Sequence, residues 1–279
     1  MTAQRIAGMR GRIKGDSTGF PHIKSYLTTS HTPTYPVDET SGQTDWGMLA
    51  NDQYGICTFA GREHYKMAKA FFYKLTEVWE TVQALVAEYF AYDNGQDIGA
   101  NIPDLLVSWY QAGKILAFGK LDHTNRLEVD WGVQTFHGVY CGVDLTDDAD
   151  QLFNSHQPWT VGQGQTPNPN DGHCVIKIAS TDINIPDPLD TYITWGALQT
   201  ATKQWTAACL DEAYVIITEE DAKASGVDIA ALRADIDAML DEHGGVASPT
   251  PQPAPVPTPA PTPVAKLSWW QRLLHFLGL

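Results

Sequence analysis

The apolar period of this chain changes at Gly113, and that switch constrains the fold more than any other feature. Before it, apolar residues recur at three- and four-residue steps, the spacing of helix faces. After it they come in short β-rich runs. Helices first and strands afterwards predict an α+β architecture rather than alternating βαβ units.

The first helix is expected from Gly55 or Ile56 to about Lys74. Cys57, Gly61, His64 and Ala68 share one face, and Phe59, Met67 and Phe71 supply apolar contacts. A second helix is expected over Glu77–Ala91, with Val78, Leu85, Val86 and Phe90 as its stripe and Asn94-Gly95 as its stop. A third is expected over Ile102–Gln111, with Pro103 in its first turn and Gly113 ending it. Strands are expected at 115–118, 138–143, 174–178, 191–195 and 213–217, with a helix over Leu127–Phe136 and a helical turn over Trp205–Cys209.

Outside this body, residues 1–45 are rich in Gly, Thr, Ser and Pro and read as extended chain. Asp228–His243 carries a stripe of Ile229, Leu232, Ile236, Met239 and Leu240, ended by Gly244-Gly245. Ser248–Pro263 is a Pro/Thr/Ala run that reads as a semi-rigid linker. The last segment contains Trp269, Trp270, Leu273 and Phe276, an aromatic-apolar face suited to a protein groove or a membrane surface. The divisions that follow are an arm (1–19), a body (20–222), an amphipathic helix (223–245), the linker (246–265) and the tail (266–279).

The formal net charge is −15, which disfavours a nucleic-acid backbone as partner. Arg5, Arg10, Arg12 and Lys14 are followed by no apolar run, so the N-terminus does not read as a secretion leader. No segment reaches the roughly 20 apolar residues of a membrane span. The four cysteines, Cys57, Cys141, Cys174 and Cys209, form no CxxC pair and suit no zinc site, so neither a metal nor a cofactor is expected. Cys141, Cys174 and Cys209 read as small buried apolar residues, with a Cys141–Cys174 disulfide left open.

Three segments carry chemistry. Cys57 heads a helix, where the free backbone N–H groups favour a thiolate. Asn51 lies six residues before it and Gln53 four, close enough for an amide to face an oxyanion. His173 opens a strand after Gly172 and is the base candidate. Cys174 then points to the opposite face, which argues against it as nucleophile. His64, two helical turns beyond Cys57, is too far for a direct bond and reads as structural, or as a group that supports the site from behind. Thr194 is the candidate partner for the imidazole, with Asp182, Asp187 and Asp190 as alternatives, and Trp195 is placed to shield that bond.

These segments resemble the papain-like cysteine peptidase superfamily, and within it papain-fold proteins of bacteriophages and prophages. The resemblance lies in Asp45–Thr58, in Gly99-Ala100-Asn101 with its following helix, in Gly172-His173, and in Thr194-Trp195-Gly196 through Tyr214. It implies a papain-like fold, with the cysteine helix packed on a C-terminal antiparallel sheet. It implies Cys57 as nucleophile, His173 as base and Asn51 as oxyanion amide; the reading of the residues themselves adds Thr194 as third residue and Gln53 and Trp195 near substrate. The implied activity is hydrolysis of a peptide or peptidoglycan-peptide amide through an acyl-enzyme, in a virion or host cytoplasm. Two positions depart from the family: Ile193 stands where an Asn is usual, and Ile56 where the phage group has Asp. The alternative they support is a weak or inactive structural component of a phage particle, tethered by its tail.

Overall fold

The computed structural model describes residues 5–28, 32–76, 79–162 and 165–242. The linker and the aromatic tail, with Trp269, Trp270, Leu273 and Phe276, lie outside the described residues. In chain order the first half contains β1 (Arg12–Ile13), β2 (Val37–Asp38), α1 (Cys57–Tyr73), α2 (Val82–Tyr92), β3 (Ala100–Asn101) and α3 (Ile102–Gln111). Then come β4 (Ala117–Lys120), α4 (Arg126–Phe136), β5 (Val139–Asp144), α5 (Ala149–Asn154), β6 (Gly172–Ser180) and β7 (Leu189–Thr194). The described chain closes with β8 (Ala197–Thr202), α6 (Lys203–Cys209), β9 (Leu210–Ile217), α7 (Glu219–Ala224) and α8 (Ile229–Glu242).

This is the expected α+β arrangement. The main sheet runs β4-β9-β5-β6-β7-β8, with β2 added on β6, and each of its pairings is antiparallel. α1 lies against one face of the central strands. Gly61 makes this approach close: a Cβ there would sit 2.9 Å from the Cys174 sulfur and 3.0 Å from the Tyr140 ring. Gly132 plays the same part for α4, against Leu121, Val139 and Val215. Phe59 is fully buried and meets Tyr89, Tyr92 and Trp109 edge-on, which ties α1 to α2 and α3.

Two expected elements shift. The second helix begins at Val82, not Glu77, because the Thr81 hydroxyl accepts from the amide of Ala84 and starts the helix there. The strand expected to run through Trp195 ends at Thr194. Trp195 (φ +45) and Gly196 (φ +75) form the two-residue turn of a hairpin, and β8 returns alongside with Thr194 opposite Ala197. Two left-handed residues in a two-residue loop match the twist of the flanking strands. β8 has no apolar alternation strong enough to announce it.

α8 carries the expected stripe onto the body. Leu232 and Ile236 are fully buried, and Asp235 and Asp237 accept hydrogen bonds from Tyr26 and Tyr110. Buried Lys69 of α1 is held by the Asp221 carboxylate of α7 and the Ile216 carbonyl of β9. All four cysteines are free thiols, and Cys141, Cys174 and Cys209 are buried as expected.

Candidate functional site

Cys57 is the first residue of α1, whose N-terminus has no side-chain cap. The backbone amides of Cys174, Gly11 and Thr58 lie near enough to its thiol to lower the pKa, against the larger effect of burial. The Cys174 contact follows from the ladder. β6 pairs with β7 only from Ile176–Ile193 onward, so the edge of β6 on that side is open at Cys174. The Cys57 thiol lies near that edge, beside the peptide that joins His173 to Cys174. Two segments 116 residues apart in sequence therefore share one crevice.

His173 is buried on the opposite side of β6 from the Cys174 side chain. Its Nε2 lies 2.8 Å from Thr194 Oγ1, and its Nδ1 is buried with no hydrogen-bond partner among the described residues. With the proton on Nε2 donated to Thr194, Nδ1 carries the lone pair. Trp195 stacks on the ring at 4.7 Å and 30°, and Phe153 and Trp159 back the indole. Of the alternatives to Thr194, Asp190 is spent on Lys177, Ser180 and Arg126, and Asp182 caps its own turn through Asn184. His64 is structural: its Nε2–H donates to the Gly47 carbonyl at 2.9 Å, and Gly47 bridges Gly196 in the Trp195 hairpin.

Asn51 is buried, but its amide is occupied. Nδ2 donates to the carbonyls of Met9 at 2.9 Å and Tyr54 at 3.1 Å. Gln53 is exposed on the turn, with its backbone amide closing on Ala50.

The carbonyl of Met9 belongs to a segment the sequence reading treated only as extended arm. Residues 8–12 run through the crevice. Met9 donates its amide to the Asn51 carbonyl, and its own carbonyl also accepts from Trp195 Nε1 at 3.4 Å. The Gly11 carbonyl accepts from Ala100, and β1 continues parallel to β3. The slot is lined by glycine on both sides. A Cβ on Gly11 would lie 1.7 Å from the Gly55 oxygen, on Gly99 2.1 Å from the Gly11 oxygen, and on Gly172 2.4 Å from the Arg12 oxygen. Arg10 reaches Asp150 and Asp171, each at 2.6 Å, with its guanidinium over Trp195. The missed signal was the run Gly8-Met9-Arg10-Gly11-Arg12, where small residues alternate with cations, answered by isolated glycines at 55, 99 and 172.

The closed crevice sets the electrostatics. Burial pushes the Cys57 thiol up to about 11, against the smaller opposing effects of the backbone amides and the Arg12 charge. Burial also holds His173 well below its ordinary value, and the charges of Arg10 and Arg12 act in the same direction. Both shifts favour the uncharged form of the group. Among the described residues no group of three His, Cys, Asp or Glu side chains is arranged to hold a metal ion.

The fold is papain-like. It is similar to that of xylellain, a cysteine protease from Xylella fastidiosa, with a TM-score of 0.53 and 14% identity over 78% of this chain and 99% of that one. Two structures with lower scores are those of the mite allergens Blo t 1 and Der p 1 (TM-score 0.49, 12% identity, 74% of this chain and 75% of the other) and of recombinant stem bromelain precursor (0.43, 11%, 78% of each). No family model matches the sequence, and neither does any curated protein.

Proposed function

We propose that this protein is a papain-like cysteine hydrolase of peptide amides, described here with its cleft filled by its own N-terminal arm. Cys57 is the nucleophile and His173 the base. Thr194 orients the imidazole through Nε2, and Asn51 Nδ2 is the donor for the oxyanion. The observation that carries this reading is one crevice. There the Cys57 thiol lies near the backbone of Cys174, while the adjoining histidine has Nε2 on Thr194 and a buried Nδ1 with no hydrogen-bond partner among the described residues. In this reading the imidazole of His173 takes the thiol proton as the sulfur attacks a carbonyl. It then protonates the leaving amine, and water releases the acyl group. The Met9 carbonyl on Asn51 occupies the place a substrate carbonyl would take beside that amide.

Peptide hydrolysis is to be measured with wild type and Cys57→Ala after the arm is displaced. Turnover in the first and none in the second, with the fold intact, supports the assignment. Equal turnover, or none in either with the cleft open, removes it. The burial of Cys57 and its raised pKa favour a second reading, an inactive papain-like scaffold held in a phage particle by its tail. That reading requires the opened cleft to stay inert and particle association to be lost on truncation after Gly245. The phage setting itself rests on the sequence motifs alone.

A further inference from the structure

His64 does more than fill the core. It lies on the helix that Cys57 heads, about 10 Å further along the axis, and it is buried. Burial holds its ring below the ordinary pKa and so favours the uncharged form. A buried donor needs an acceptor, and Nε2–H has one in the Gly47 carbonyl at 2.9 Å. A leucine would fill similar space without that bond. What the histidine adds is a directional hold on Gly47.

Gly47 is where two other parts of the site meet. On one side it opens a loop in which Gly47 (φ +72), Leu49 (φ +53) and Ala50 (φ +63) are all left-handed. Leu and Ala are strained there, and such a backbone persists only where its surroundings fix it. The loop ends on Asn51, whose amide closes on the Met48 carbonyl at 3.0 Å. On the other side Gly47 pairs with Gly196 of the hairpin. The Trp46 amide donates to the Gly196 carbonyl at 3.0 Å, and a Cβ on Gly196 would stand 2.9 Å from the Gly47 carbonyl carbon. That hairpin carries two groups that hold the His173 ring: Thr194 Oγ1 at 2.8 Å from Nε2, and the Trp195 indole stacked at 4.7 Å. Packing at Gly61 brings α1 against β6, but apolar packing is non-directional. The bond from His64 supplies a direction that packing does not.

We infer that His64 is a positioning residue of the hydrolytic site: through Gly47 it locks the Trp195 hairpin, and with it the His173 imidazole, in register with the Cys57 helix. Cys57 comes from the helical half and His173 from the sheet, so a slide between the halves separates nucleophile and base without unfolding either. This rests on the hydrolase reading above, yet the placement of the His173 ring is measurable without turnover.

The test compares His64→Asn with His64→Gln in full-length protein. The glutamine amide reaches the place of Nε2 and can donate to Gly47, whereas the asparagine amide is too short. Both bury a polar side chain, so the pair differs in the hold on Gly47. The His173 Nε2–H is followed by 1H–15N NMR of histidine-labelled protein and assigned by its loss in His173→Gln. Wild type and His64→Gln are expected to share its position. In His64→Asn it is expected to shift and to exchange faster with water. With the arm displaced, kcat of His64→Asn is expected to fall about ten- to a hundredfold with KM little changed, the loss that goes with moving a catalytic group by about 1 Å. His64→Gln should recover most of it. The losses in His64→Asn and Trp195→Phe are expected not to add, since one acts through the other. If His64→Asn loses its fold by circular dichroism, Gly196→Ala breaks the same link from the hairpin side and is expected to give the same shift. An unmoved His173 resonance in the folded variant, an equal shift in His64→Gln, or additive losses overturn the assignment. The expected NMR differences without turnover by the opened wild type leave the positioning role standing and overturn the hydrolase reading instead.

Discussion

Replacing Gly11 with alanine is expected to open the cleft. The new Cβ would stand 1.7 Å from the Gly55 oxygen and 2.3 Å from its carbonyl carbon, contacts between backbone and Cβ that no rotamer change relieves. Gly55 cannot withdraw easily, because its amide is held by Asp97 Oδ1 at 2.9 Å and the cysteine helix follows two residues later. The arm is the element that moves. Overpacking by one methyl ordinarily costs about 1–3 kcal/mol, and a direct backbone collision belongs at or above the upper end. Once the arm leaves, water reaches the sulfur and the burial that lifts its pKa is relieved. The thiol stands at about 11 against an ordinary 9.0, so its thiolate fraction at pH 8 rises about 100-fold on opening. Iodoacetamide labelling of Cys57, followed by mass spectrometry of the peptide that contains it, should accelerate by at least that factor. Wild-type labelling kinetics in a folded Gly11→Ala protein would refute the reasoning, because the arm would then not be what seals the site.

Three further outcomes are expected. Thr194→Val leaves the buried Nε2 of His173 without its partner, so it should cost about 1–3 kcal/mol in urea unfolding and lower kcat by about tenfold or more; an unchanged kcat would show that Thr194 does not orient the ring. Asp221→Ala strands the buried ammonium of Lys69 and should cost about 3–5 kcal/mol, and a loss below about 1 kcal/mol would show that the Ile216 carbonyl alone suffices. His64 and His173 are held below their ordinary 6.5 by burial, so the unfolded chain binds protons that the folded one does not. Stability from these two is therefore complete above pH 6.5 and falls as pH drops through it, by up to about 1.4 kcal/mol per pH unit for each histidine. Urea titrations from pH 7.5 to 5 should show this, and a double His64→Gln, His173→Gln variant with the same pH slope would contradict it.

The sequence by itself determined the helices of the first half and five strands of the main sheet, though not α5, β8 or α7, together with the cysteine at a helix head, the histidine at a strand start and the alternation that turns Cys174 away from it. Those features are local: period, cap and pleat are properties of a few consecutive residues. The Trp195 turn was partly legible, since Trp-Gly after a β-branched run is a plausible stop, but its left-handed geometry depends on β8 pairing back. Only the tertiary structure decided that Thr194, rather than a nearby aspartate, meets the imidazole, because Asp190 is drawn into the ion network of Lys177 and Arg126. It alone decided where residues 8–12 lie. A weakly patterned segment has no face of its own to bury, so its course is set by the complementary slot. That slot is formed by Gly55, Gly99 and Gly172, with Asp144, Asp211 and Glu212 at its end, and these residues converge only after the helices and sheet have packed.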